Sequence, residues 1–278
     1  MDPNRAFSLA PDLVAYYAEG REQERLRTLF RLEFVRTQEL LARFLPPPPA
    51  RILDVGGGTG IYALWLLERG YEVDLVDPMP LHVEQATAAG VPRASLGDAR
   101  RLEFDDGCAD AVLLLGPLYH LTHGEDRLAA LREARRVVAA GGVVCGAMIS
   151  RLASTWDGLS LRFLDDPGFE EIVERDVADG IHLNPTRRHG WFTTAYFHWP
   201  EEAAAELTAA GWTVEALIAI EGPAEFLPDI DARLDDPARR DQLLRAIRRI
   251  EAEPSLLGAT SHLLAIARNG APARRAGA

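Results

Sequence analysis

The sequence predicts an α/β protein built on a doubly wound parallel sheet, and three observations predict it. From residue 52 to residue 149, short apolar runs alternate with amphipathic stretches, the beat of strand–helix–strand units whose sheet is covered on both faces. A glycine-rich loop, Gly56-Gly57-Gly58-Thr59-Gly60, follows the first apolar run and opens a helical stretch. A carboxylate, Asp77, closes the second run roughly 20 residues on, the spacing expected of a strand–helix–strand unit that carries a nucleotide-type ligand.

Taken in order, residues 11–45 read as helices, because Leu26, Leu29, Phe30, Leu40, Leu41 and Phe44 recur at three- and four-residue spacing. Pro46, Pro47, Pro48 and Pro49 stop that pattern and make a stiff connector. Strands follow at 52–55, 73–76, 111–115 and 143–149, with helices at 62–67, 81–89 and 128–138. Regularity breaks between about 151 and 200, a stretch with turn signals at Asp165-Asp166-Pro167-Gly168 and Asn184-Pro185 and many aromatic residues near 189–199. A structureless run of that length is unusual inside a domain, and a lid or substrate-facing insertion is the natural reading. A helix at 201–210, a strand at 212–220, a helix at about 237–250 and a last strand at 262–267 resume the order. The expected organisation is an N-terminal helical cap (1–47), a core (48–150), the insertion (151–200), the rest of the core (201–268) and a flexible tail (269–278).

Composition narrows the chemistry. The chain has 278 residues and a formal net charge of −12, and all 30 basic residues are Arg. Without Lys there is no Schiff-base chemistry, no P-loop lysine and no protein-kinase lysine. The acidic balance argues against a nucleic-acid partner. The arginines at 239, 240, 245, 248 and 249 are interleaved with Asp241, Glu251 and Glu253 and read as a solvated helix face. Cys108 and Cys145 form no framework, which favours a reducing cytoplasm. Residues 1–9 lack a signal-peptide pattern and the apolar run 137–149 is too short to span a bilayer, so no membrane association is expected. A homodimer is compatible with the sequence.

The loop by itself is ambiguous. Glycines let the backbone approach a ligand at the switch point of a doubly wound sheet, and Gly58-x-Gly60-x-x-Ala63 also fits a dinucleotide fingerprint. The surrounding pattern separates the readings. Asp54 precedes the loop, giving Asp-x-Gly-x-Gly-x-Gly. Gly97-Asp98-Ala99 comes after Asp77, followed by Leu102-x-Phe104-x-Asp106 and Asp110-Ala111-Val112, and Arg132-Glu133-Ala134-x-Arg136-Val137-Val138-x-x-Gly141-Gly142 leads into a strand. In that order the motifs resemble the class I S-adenosylmethionine-dependent methyltransferases of small-molecule type, across about residues 48–150. A weaker likeness covers 11–45 and 185–212, notably Trp191-Phe192-Thr193-Thr194-Ala195-Tyr196-Phe197-His198.

The resemblance implies a Rossmann-like seven-stranded sheet with an antiparallel last strand, and S-adenosylmethionine as cofactor with S-adenosylhomocysteine as product. It implies that Gly56, Gly58 and Gly60 pass beneath the methionine and ribose, with Asp54 bracing the loop and contacting the amino group. Asp77 would hold the ribose hydroxyls, Pro78 and Met79 would flank the adenine, and Asp98 and the Ala99 N–H would meet the adenine edge. Leu115 and Gly116 would offer backbone oxygen to the ammonium. Arg36 is either part of a surface ion-pair row, with Glu33 as its partner, or part of the cofactor carboxylate site together with Arg25. Tyr16 and Tyr17 would close over the pocket.

For the acceptor, the run Leu115-Gly116-Pro117-Leu118-Tyr119-His120 lacks the Asp or Asn that begins the corresponding run of nucleic-acid amino-methyltransferases. With the acidic charge this points to a small-molecule acceptor, methylated on oxygen or nitrogen and flat enough to suit aromatic walls. Tyr119 and His120 should face the transferred methyl, and His120 is either a proton acceptor or a structural histidine. His189, Trp191, Phe192, Tyr196, His198 and Trp199 are either a substrate cover, with Tyr196 and His198 catalytic, or a packed hairpin. No metal is expected, since Asp105-Asp106, Asp165-Asp166 and His120-x-x-His123 lack a ligand set. The rival functions are a nicotinamide-dependent oxidoreductase and an S-adenosylmethionine-binding protein with cyclase- or decarboxylase-like activity.

Overall fold

The computed structural model describes residues 11–18, 30–188 and 190–270. Arg25, Leu26, Leu29, His189 and residues 271–278 lie outside that range. Helix α1 (Pro11–Ala18) and helix α2 (Arg31–Phe44) come first. Leu32, Arg36, Leu40, Leu41 and Phe44 bury one face of α2, and Leu45 turns extended before Pro46, as a residue preceding proline must.

Strand β1 (Arg51–Val55) leads to helix α3 (Ile61–Leu67), strand β2 (Glu72–Asp77), helix α4 (Pro80–Ala89), strand β3 (Ala94–Leu96), strand β4 (Ala109–Leu114), helix α5 (Pro117–His120), helix α6 (Gly124–Val137) and strand β5 (Val138–Ser150). These five strands pair in parallel in the order β3-β2-β1-β4-β5. Successive residues of a strand point to opposite faces, so Ile52, Leu75, Leu113 and Cys145 build one core while Leu53, Val76, Val112 and Val144 build the other. That double burial is why the strands are apolar runs rather than alternating ones.

Residues 151–200 are more regular than their composition suggests. They form helix α7 (Ala153–Ser160), helix α8 (Pro167–Asp179), strand β6 (Ile181–His182) and strand β7 (Ala195–His198). The turn signal Asp166-Pro167-Gly168 is the start of α8: the Asp166 side chain accepts from the Gly168 N–H, Pro167 takes the first helical position, and Gly180 ends the helix at φ +78°. Strand β7 pairs in parallel with β5 at Ile149 and Ser150, past the end of β4. The segment thus stands above the carboxyl edge of the sheet.

Helix α9 (Pro200–Ala209), strand β8 (Thr213–Ala219), helix α10 (Ile230–Asp235), helix α11 (Pro237–Arg248) and strand β9 (His262–Arg268) complete the chain. Strand β9 lies between β5 and β8 and runs antiparallel to both. The expected seven-stranded sheet with an antiparallel last strand is therefore present as β3-β2-β1-β4-β5-β9-β8. Asn269, assigned to the flexible tail by sequence, is tied down: its Nδ2 donates to the Val138 carbonyl at 2.8 Å and its N–H to that of Gly142 at 2.9 Å. No described helix is long and apolar enough to cross a membrane. Along α11, Arg239, Arg245 and Arg248 are paired with Asp229, Asp241 and Glu39.

Candidate active site

Strand order reverses between β1 and β4, and a crevice forms where neighbouring connections leave in opposite directions. A cavity of about 540 Å³ occupies that crevice. The loop after β1 is its floor. The N–H groups of Gly56 and Gly57 both reach the Val76 carbonyl, at 2.7 and 3.4 Å, pinning the loop to β2. A Cβ on Gly56 would stand 2.6 Å from Pro117 Cγ, whereas one on Gly58, at φ +57°, would meet nothing within 4 Å. Packing thus requires glycine at 56, and at 58 the left-handed turn requires it while the space beside it stays open. Gly60 is a correction. It does not line the cavity; its missing side chain lets the start of α3 pack on Val91, 2.8 Å from where a Cβ would be.

Carboxylates mark the polar half. Asp54 is 1% exposed, and its Oδ2 has no hydrogen-bond partner among the described residues. Burial, then the nearby charge of Asp77, pushes this carboxyl up to about 7. Asp77 accepts from the Gly58 N–H on Oδ2 at 2.9 Å, and from the Met79 N–H on Oδ1 at 2.9 Å. Pro78, Met79 and Ala99 are in the same wall. Asp98 lines the cavity too, but its oxygens are held by Arg100, with Nε at 2.9 Å and Nη2 at 2.5 Å.

Strand β4 delivers the segment from Leu115 to His120. Leu115, Gly116, Tyr119 and His120 line the cavity, and the Leu115 carbonyl accepts from the Tyr119 hydroxyl at 3.0 Å. Tyr17 reaches across from α1, its Oη 2.6 Å from His120 Nε2, while His120 Nδ1 stands 3.4 Å from the Thr194 carbonyl. Phe192, at φ +58°, stacks behind His120 with ring centroids 5.8 Å apart. It does not itself line the cavity.

Four further sequence-predicted residues lie elsewhere. Arg36 is wholly buried and does not line the cavity: Nε donates to the Ile220 carbonyl at 2.9 Å, and its other nitrogens pair with Glu39 and Glu251 at 2.7 and 2.6 Å. Glu33 is not its partner. Tyr196 lies under the Arg127 guanidinium, 3.7 Å from its ring centroid, with its hydroxyl 3.0 Å from Arg151. Burial and then Glu202 raise its phenol above the ordinary value, which makes it a poorer acid. His198 is fully buried with Nε2 3.4 Å from Glu206, and burial lowers its imidazole below the usual value. Trp191 packs on Phe169 and Ile172 in a satellite core. Trp191, Tyr196 and His198 are packed side chains outside the cavity lining. His189 lies outside the described residues.

Sequence reasoning missed Glu33, Thr37, His82, Arg100 and Ile220, all of which line the cavity. Glu33 and Thr37 are four apart on α2, a spacing that marks one face, but the face is identified only by what packs on it. Among the described residues, Glu33, Glu221 and His262 place ligand-type atoms within 4.8 Å of one another. His262 Nδ1 is 2.7 Å from Glu221, so the imidazole–carboxylate pair accounts for that grouping directly.

Comparison with known proteins agrees with this geometry. Residues 53–146 match the family described as Methyltransferase domain. A malonyl-[acyl-carrier protein] O-methyltransferase of Geobacter sulfurreducens is 31% identical over 251 residues, 87% of this chain and 77% of that protein. An uncharacterized methyltransferase of Mycobacterium tuberculosis is 34% identical over 150 residues; the match spans 52% of this chain and only 56% of that relative's length. In fold, an S-adenosylmethionine-dependent methyltransferase from Thermotoga maritima superposes with a TM-score of 0.57 at 18% identity, covering 93% of this chain and 99% of that one. A doubly wound sheet with this glycine loop and this set of carboxylates defines a nucleotide-type cofactor protein. The chain belongs to the class I S-adenosylmethionine-dependent methyltransferase family, and S-adenosylmethionine is its cofactor.

The residues fit that cofactor. A buried carboxylate oxygen on Asp54, without a partner among the described residues, suits the ammonium of the methionine part. The open space beside Gly58 admits a ligand against the backbone, next to Asp77.

Proposed function

We propose that the protein transfers a methyl group from S-adenosylmethionine to an oxygen or nitrogen of a small acceptor. The carrying observation is that one cavity joins the carboxylate-lined half, from Asp54 to Asp98, to a second half walled by Tyr17, Tyr62, Tyr119 and His120. When bound, the cofactor supplies a methyl group on a sulfonium, a leaving group already activated for in-line displacement. What the chain adds is alignment, which can supply much of the acceleration.

Asp54, Asp77, Asp98 and the backbone of residues 56–58, 99, 115 and 116 hold the cofactor. Tyr17, Tyr119 and His120 wall the acceptor, a surface suited to a flat molecule. We assign the Nδ1 hydrogen of His120 to the Thr194 carbonyl, 3.4 Å away, which makes Nε2, 2.6 Å from the Tyr17 hydroxyl, the proton-accepting nitrogen. An acceptor O–H or N–H gives its proton to Nε2, directly or through Tyr17. The net charge of −12 disfavours a nucleic-acid acceptor. The Geobacter relative is named an O-methyltransferase and a Caulobacter vibrioides relative a C-methyltransferase, so the choice of oxygen or nitrogen rests on the proton-accepting wall of Tyr17, Tyr119 and His120. Cys108 and Cys145 are free thiols, which suits a reducing compartment such as the cytoplasm.

The test is incubation with methyl-labelled S-adenosylmethionine and a panel of phenols, carboxylic acids and amines. Label recovered on oxygen or nitrogen of a small product is the expected outcome. Label on carbon, or label that never leaves a bound cofactor, overturns the proposal.

A further inference from the structure

The polar half of the cavity holds an imidazole that neither the motifs nor the family comparison mark. His82 sits in the first turn of α4, five residues after Asp77. It is 4% exposed and in the cavity wall. Its Nδ1 is 3.0 Å from Asp77 Oδ1, while its Nε2 is buried with no hydrogen-bond partner among the described residues. The edge of the Tyr17 ring closes over it, with centroids 5.1 Å apart.

Asp77 itself is heavily engaged. A carboxylate offers about four acceptor positions. Two on Oδ1 are taken by the Met79 N–H and His82 Nδ1, and one on Oδ2 by the Gly58 N–H. One position remains, yet a ribose presents two vicinal hydroxyl donors. With Nδ1–H assigned to the Asp77 carboxylate, Nε2 is the acceptor nitrogen, and leaving it buried and unmet is unfavourable.

We infer that His82 is a cofactor-positioning residue, its Nε2 accepting the ribose hydroxyl for which Asp77 has no remaining place. Asp77 and His82 then act as one diol-reading unit, with the Tyr17 ring sealing it from solvent. Recognition of the sugar in this chain depends on both hydroxyls through two different side chains.

The inference rests on the cofactor assignment, and calorimetry separates the two. The titrants are S-adenosylhomocysteine and its 2′-deoxy and 3′-deoxy analogues, with wild-type protein and His82→Asn. Asparagine keeps an amide N–H where Nδ1 meets Asp77 but has nothing at Nε2. Wild type should favour S-adenosylhomocysteine over one of the two analogues by about tenfold through His82, the worth of one well-made hydrogen bond. His82→Asn should lose that preference while still favouring it over the other analogue. Equal discrimination in variant and wild type overturns the inference, whereas a wild type that fails to bind S-adenosylhomocysteine overturns the cofactor assignment instead. A measurement on wild type alone covers a variant that folds poorly: the ¹⁵N resonance of His82 Nε2 should shift on binding S-adenosylhomocysteine and not on binding the discriminated analogue. No shift with either ligand overturns the inference.

Discussion

Asp54 is the residue where stability and binding pull apart. An unfolded Asp ionises near pH 4, while folded Asp54 keeps its proton to about 7 through burial and the neighbouring Asp77. Between those values the native state binds the extra proton, so the stability of the empty protein falls as pH rises. The full penalty, up to about 4 kcal/mol, is in place only above the folded value and absent below the unfolded one. Asp54→Asn should therefore raise the melting temperature of the cofactor-free protein at pH 8 and leave it unchanged at pH 4. The same variant should bind S-adenosylhomocysteine more weakly at pH 8, because the ammonium loses its carboxylate. A variant no more stable than wild type at pH 8 would show that folding does not raise the Asp54 carboxyl above its ordinary value. On the acceptor side, His120→Ala should lower kcat by roughly 10²-fold or more, with a smaller effect on S-adenosylhomocysteine affinity. Tyr196→Phe, remote from the cavity, should leave kcat within about threefold of wild type. A reversed ranking would move the proton acceptor into the insertion.

Among the elements, α2 carries two jobs on neighbouring positions. Glu33 and Thr37 face the cavity, while Arg36 ties the helix to the Ile220 carbonyl and Glu251. Removing one partner of a buried ion pair strands the other. Arg36→Met should lower the free energy of unfolding by about 3 kcal/mol in urea titrations and leave S-adenosylhomocysteine affinity unchanged. Weakened binding with intact stability would restore Arg36 to the cofactor site. The insertion shows what composition does not reveal. Its aromatic and imidazole residues read as either a substrate cover or a packed hairpin, and Arg127 and Arg151 lie against the Tyr196 ring in the manner of the second. Arg127 grips Glu206 with Nε at 3.0 Å and Nη2 at 2.7 Å, and the Leu121 and Thr122 carbonyls with Nη1 at 2.9 and 3.0 Å. It thereby braces the cavity wall while covering the Tyr196 ring. Those partners lie up to 79 residues apart in sequence, beyond any local pattern. Likewise Asp166-Pro167-Gly168 serves equally well as a turn or as a helix start, and only the run that follows decides.

At the scale of the whole molecule, the sheet was legible because its signals are local. Strands buried on both faces read as apolar runs, and a loop that must meet a ligand with backbone needs glycine wherever a side chain would collide. Asp54, Gly56, Gly58, Asp77 and Asp98 could be placed for the same reason: each sits at a strand end, and strand ends converge at the switch point. Strand β3 escaped notice, being three residues long, and so did His82 and Glu33, whose faces are fixed by packing. The antiparallel β9 lies between β5 and β8, away from the switch point between β1 and β4 where the cavity opens. In the proposed assignment this cavity holds S-adenosylmethionine through Asp77. Titration calorimetry of wild type and Asp77→Ala with S-adenosylhomocysteine tests it most directly. The prediction is one site per chain in wild type and affinity weakened by about 100-fold in the variant, the worth of one charge-assisted hydrogen bond to the ribose. No binding by wild type, or equal binding by the variant, would contradict it.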